Sequence, residues 1–163
     1  MVSAKLTYAQ MDAELSTRSE DELMALLDPP SIKVGDTAAS LLSRQDAEDS
    51  VYDALCDGRL KTALGRKRAL FTLLLAGPRY RKSLHACVRL LSDRSKLVVG
   101  EALFGLCHWN DQSILAALDT VTCRGVAEDV ELARRAIKAR DIRIFSRYYS
   151  IHDQWSEYQS FAG

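Results

Sequence analysis

The chain is predicted to be all-α: a short α-solenoid of stacked antiparallel helix pairs with about eight helices. Three observations carry that prediction. Apolar residues between positions 19 and 141 recur at helical spacing, and no stretch sustains the apolar–polar alternation of a half-buried strand. Links between the helical segments are two to six residues long, which makes sequential helices antiparallel. Helix ends recur at Gly77, Asn110 and Arg140, about 30 to 33 residues apart, and each interval reads helix, short turn, helix.

The elements follow in order. Ser19-Glu20-Asp21-Glu22 is a capping box, with Ser19 as N-cap and Glu22 reaching back to it. Leu23, Leu26 and Leu27 continue that helix until Pro29-Pro30, which cannot donate and disfavours helix in the preceding residue. A second helix is expected over 36–43 and a third over 46–57, closed by Gly58. A fourth covers 60–76 and stops at Gly77-Pro78, and a fifth covers 79–91. The sixth, seventh and eighth are expected over 94–109, 111–121 and 127–139.

The repeat is clearest late in the chain. Leu90-Leu91-Ser92-Asp93 is followed by Val99, Ala102 and Leu106, and then by Asp111. Thirty-one residues on, Val130, Ala133 and Ile137 restate the apolar triplet. The unit over 46–77 aligns more loosely and carries Arg66-Lys67-Arg68 where the others are apolar. The expected organisation is one helical-repeat domain over 1–163: capping helices in 1–45, about three helix pairs in 46–141, and an aromatic cap or tail in 142–163. Six of the 12 aromatic residues lie in the last 19 positions: Phe145, Tyr148, Tyr149, Trp155, Tyr158 and Phe161. They read either as a cover for the last apolar face of the array or as a partner-binding patch.

Composition narrows the class. With 47% hydrophobic and 27% charged residues, a chain of 163 residues needs no disulfide or metal staple. Lys plus Arg and Asp plus Glu are 22 each. That balance disfavours both a general nucleic-acid binder and a disordered acidic chain. By segment it is uneven: residues 1–57 carry net −8, residues 58–96 net +10, and residues 97–163 net −2. The basic block pairs with the acidic N-terminal helices, or it steers a charged partner. Arg66, Arg68, Arg81 and Lys82 are its candidate partner-binding residues.

The longest strongly apolar run, 69–76, contains Thr72 and is far too short for a membrane span. With no apolar leader at the start, a cytoplasmic location is expected. Cys56, Cys87, Cys107 and Cys123 form no C-x-x-C pair and read as buried thiols. His85 and Cys87, two apart on one helix, do not share a face, nor do Cys107 and His108. No P-loop, G-x-S-x-G or H-E-x-x-H motif is present. No catalytic residue, cofactor or metal is expected.

Glu101 is the most informative single residue. Leu97 and Phe104 flank it on a largely apolar helix face, where an unpartnered carboxylate is costly. It either pairs with a cation of the next repeat or forms a polar anchor toward a partner, with Trp109 nearby. Gly100 and Gly105, unfavourable inside a helix, mark close packing or room for a partner side chain.

The pattern over 36–141 resembles the HEAT-like (armadillo-like) helical repeats, carried best by Leu-Leu-x-Asp, Val-x-x-Ala-x-x-x-Leu and the terminal Asp in Leu90 to Asp111. The stretch from Ser83 to Asp111, above all Val-Val-Gly-Glu-Ala-Leu-Phe-Gly-Leu at 98–106, is similar to small bacterial HEAT-like immunity proteins paired with secreted toxins. The resemblance implies a non-enzymatic module that binds a cognate toxin and blocks its active site, the toxin acting in the cytoplasm. An adaptor or scaffold subunit is the first alternative. A HEAT-like DNA glycosylase, with Glu101, Trp109 and the 58–96 bases around a flipped base, is the second. Small size and neutral charge argue against the second.

Overall fold

The computed structural model describes residues 6–28, 31–77, 80–109 and 111–146. All described secondary structure is helical, with no strand among the described residues. The chain divides into two compact units, with the boundary between Leu90 and Leu91. That boundary falls inside the Leu90–Asp111 motif on which the repeat reading rests.

The first unit contains α1 (Tyr8–Leu15), α2 (Glu20–Ala25), α3 (Ile32–Arg44), α4 (Glu48–Cys56), α5 (Ala63–Leu75) and α6 (Lys82–Leu90). α1 is not among the helices expected from periodicity. It starts on a capping box of Thr7 and Gln10 and buries Met11 and Leu15, one turn apart. α2 begins at the expected box: Glu22 N–H donates to Ser19 Oγ, and Ser19 N–H donates to Glu22 Oε2. α3 starts at Ile32, ahead of the expected 36, because Ser31 Oγ accepts from Val34 N–H at 3.1 Å. α5 starts later than expected because Thr62 Oγ1 caps Gly65 N–H at 2.9 Å. Gly58 and Gly77 have φ of +67° and +63°, so both expected stops rest on a backbone state that glycine reaches without a Cβ penalty.

The packing of this unit has a fixed register. Lys61 N–H donates to Asp28, Arg68 to Asp36, and Thr72 Oγ1 to the Ala39 carbonyl, at separations of 33, 32 and 33 residues. Lys82 donates to Asp49, Tyr52 meets His85, and Arg89 donates to the Cys56 carbonyl, each 33 residues apart. A constant difference in position, rather than a constant sum, means that α3 and α5 lie side by side and parallel. The same holds for α4 and α6.

Arg68 corrects the expectation that it faces a partner. It is 2% exposed and the largest fully buried side chain. Its Nε donates to Asp36 Oδ1 at 3.0 Å, and its guanidinium nitrogens donate to the carbonyls of Leu27, Ser31 and Ile32 at 2.9–3.2 Å. A buried guanidinium requires such a set of acceptors. Gly35 makes room for it, since a Cβ there would overlap the guanidinium. The basic residue that breaks the apolar repeat is therefore a core strut between α5 and the start of α3.

The second unit contains α7 (Lys96–Trp109), a 3₁₀ helix over Gln112–Thr120, α8 (Ala127–Ala139) and the short α9 (Arg143–Ser146). α8 spans the expected residues and ends on Arg140 in the left-handed region, φ +53°. The expected seventh helix is 3₁₀ rather than α. Its two ends are tied to α8, through Gln112 to the Ile137 carbonyl and Asp119 to Arg134. α7 is buried on all sides from Val98 to Cys107, so its pattern reads as core rather than as one amphipathic face. Arg94 pairs in position with Cys123, and Cys107 with Ala133, so α7 and α8 also run parallel. Phe145 is fully buried, and the other five C-terminal aromatics lie outside the described residues.

Candidate functional site

The most organised exposed chemistry lies on α4 and α6 of the first unit. Parallel packing at a 33-residue offset sets the outer edge of α4 (exposed Asp49 and Asp53, half-buried Tyr52) beside the exposed edge of α6 (Lys82, His85, Arg89). Lys82 Nζ donates to Asp49 Oδ1 at 2.7 Å, and Tyr80 Oη donates to the same oxygen at 2.8 Å. The Lys82 ammonium also stands 5.3 Å from the Tyr52 ring centroid and 6.0 Å from that of Tyr80, within cation–π range. Tyr52 Oη and His85 Nδ1 are 2.5 Å apart. Arg89 donates to the Cys56 carbonyl at 2.9 Å, at the C-terminal end of α4, where a cation suits the helix dipole.

The electrostatics suit a recognition surface. Lys82 holds the Asp49 carboxyl below its ordinary range, with the Tyr80 hydroxyl adding to the effect, and Asp49 in turn raises Lys82. Burial pushes Tyr80 up, and the hydrogen bond to Asp49 pushes it further. Tyr52 is raised by burial and by its hydrogen bond with Cys56. Both phenols therefore stay protonated at neutral pH: they donate hydrogen bonds and are not activated as nucleophiles. Two aromatic rings, two fixed cations and a histidine make a preordered hydrogen-bonding row of the residue types enriched at binding hot spots.

The residues expected from sequence fall in different places. Lys82 is in this row, and Arg81, exposed, precedes it in the turn before α6. Arg66 is half-buried on α5 and donates to the Lys61 carbonyl at 2.9 Å, away from the row. Arg68 is in the core, as described above. Glu101 is 1% exposed, inside the buried stretch of α7, which places it in the interior rather than on a partner-facing surface. Trp109 is half-buried at the end of the same helix, beyond His108, whose ring meets Phe104 edge-on at 4.7 Å. Sequence reasoning passed over Tyr52 and Tyr80 and did not connect His85 to either. The signal that links Tyr52 to His85 is the 33-residue offset: adding 33 to Asp49, Tyr52 and Cys56 gives Lys82, His85 and Arg89, whereas Tyr80 reaches Glu48 and Asp49 at offsets of 32 and 31 and is not found this way.

Cys87 and Cys107 are buried and Cys56 and Cys123 half-buried, all as free thiols. Burial pushes the Cys107 thiol up to about 12, which makes it inert. Among the described residues no group of three His, Cys, Asp or Glu side chains is placed to hold a metal ion, and no helix is long and apolar enough to cross a membrane.

Comparison with protein-family models, with curated proteins and with solved structures gave no match to this chain.

Proposed function

We propose that the chain is a short α-solenoid that acts as a non-catalytic protein-binding module, and that α4 and α6 present its binding face. The observation that carries this reading is the row of half-buried Tyr52 and Tyr80 with exposed Lys82, His85 and Arg89, in which Asp49–Lys82, Tyr52–His85 and Cys56–Arg89 meet at one 33-residue offset across parallel helices. A fixed offset supports the solenoid because stacked repeats pair each residue with its equivalent one unit later. Solenoids present extended surfaces to partners, and a preordered row loses little side-chain entropy on binding.

The partner is a protein with an acidic patch opposite Arg81, Lys82 and Arg89. Asp49, Asp53 and Asp57, on and just after α4, make the face mixed in sign, which suits a protein that sets basic groups beside its acidic patch better than a uniformly anionic phosphate backbone. By its resemblance to small HEAT-like immunity proteins, the chain neutralises a secreted bacterial toxin. An adaptor role uses the same face. The glycosylase alternative needs an acid open to a flipped base, and the burial of Glu101 weighs against it.

The test pairs the full chain with the toxin-domain product of the adjacent gene. The chain should co-purify with that product and restore growth of cells expressing it. Arg81→Ala and Lys82→Ala together should weaken binding by about tenfold or more and slow association most at low salt, with an unchanged Tm. Full binding by that variant excludes the α4/α6 face. Neither binding nor protection excludes the immunity reading.

A further inference from the structure

Three basic side chains converge on one cleft of the second unit, about 310 Å³ in volume and lined by Asp93, Arg94, Lys96, Thr122, Cys123 and Arg124. Three cations against one carboxylate leave that lining at net +2. Asp93 is partly committed already, because its Oδ1 accepts from Ser95 N–H at 2.8 Å. Beyond the lining, Lys96 also acts on Asp129 in the first turn of α8, where Glu128 stands beside it. Arg94 and Arg124 are exposed and form no ion pair with a described residue. The Lys96 side chain passes beside Gly125, φ +78°, where a Cβ would overlap the ammonium.

The geometry points to a binding site for a phosphomonoester dianion carried on a small organic molecule. Crowded like charges repel, and a dianion matches the excess of two. Two guanidinium forks suit tetrahedral phosphate oxygens, the Thr122 hydroxyl adds a donor, and the 14-residue helix α7 starts at the cleft with its positive end. The volume lies at the lower end of the range for small-molecule sites, roughly 300–1,000 Å³. It admits a phosphate with a small organic group. This site belongs to the second unit, and its argument does not depend on the function proposed for the α4/α6 face of the first.

Cys123 is a built-in reporter, since its half-exposed thiol lines the cleft with Sγ 3.4 Å from the Arg94 carbonyl. The experiment is alkylation of the full chain by iodoacetamide, read by peptide mass spectrometry, with glucose 6-phosphate, inorganic phosphate, or sodium chloride at matched ionic strength. Glucose 6-phosphate should slow modification of Cys123 by about fivefold at four times its half-protecting concentration, with the Cys56 rate unchanged. Inorganic phosphate should protect at higher concentration and chloride not at all. Arg94→Ala and Arg124→Ala should each raise the half-protecting concentration by about tenfold or more. Arg124 lies in an exposed turn, so its variant carries the test if Arg94→Ala does not fold. Equal slowing by chloride, or undiminished protection in Arg124→Ala, overturns the site. Protection by inorganic phosphate alone overturns the organic ligand.

Discussion

Arg68 on α5 and Asp36 on α3 form an ion pair at 3.0 Å in which the arginine is 2% exposed and the aspartate 25%. The pair ties together two parallel helices, and three backbone carbonyls share the same guanidinium. Removing the cation strands all of these groups. Arg68→Ala should lower stability by about 3–5 kcal/mol, read as the urea-denaturation midpoint. Arg81→Ala, at an exposed position, should leave the midpoint in place. Equal effects of the two would mean that the Arg68 network contributes nothing special.

Gly35 tests the same network from the other side. A Cβ at this position would overlap the Arg68 guanidinium and force it out of its acceptor set. Gly35→Ala should destabilise the chain even though alanine is the better helix former. Because both changes break one network, the Gly35→Ala/Arg68→Ala double variant should cost clearly less than the sum of the singles. A double-mutant cycle in urea gives the coupling, and strict additivity would rule out a shared mechanism.

Asp28 sets a pH limit on the first unit. Burial, the largest single influence, raises its carboxyl, but the Thr62 hydroxyl and the N–H groups of Lys61 and Thr62 together outweigh it and hold it below 3.8. A carboxyl depressed by folding contributes stability above its unfolded value, and that contribution is lost as pH falls through the folded value. Asp28→Asn should therefore be least stable relative to wild type near neutral pH, and the gap should narrow as pH falls below about 4. A gap that widens on acidification would contradict this capping role at the start of α5.

Gly125 combines two constraints. Its φ of +78° disfavours any Cβ, and a Cβ would also collide with the Lys96 side chain. Gly125→Ala should cost about 1–2 kcal/mol from the backbone alone. A Lys96→Ala background should remove the steric part and leave the backbone part. Thermal melts of the three variants separate the two contributions.

Much of the local structure was legible in the sequence. The Ser19/Glu22 box, the Gly58 and Gly77 stops and the limits of α8 are encoded in residues that touch one another within a turn or two. α1 was legible too, since Thr7 and Gln10 spell the same capping box, but its single pair of core residues gave too short a period to register. The charge blocks were legible as counts but not as contacts.

The sequence by itself determined that the chain is helical, where most helices start and stop, and that acidic residues precede a basic block. Tertiary structure decided which charges are core and which are surface. Arg66, Arg68 and Lys82 are alike in composition, yet one is half-buried on α5, one is sealed against Asp36, and one stands between two tyrosines. The physical reason is that caps and periodicity act over a few residues, whereas the fate of Arg68 or of Lys82 depends on a neighbour 32 or 33 positions away. The rotation and offset of stacked helices bring that neighbour into reach, and packing alone fixes both.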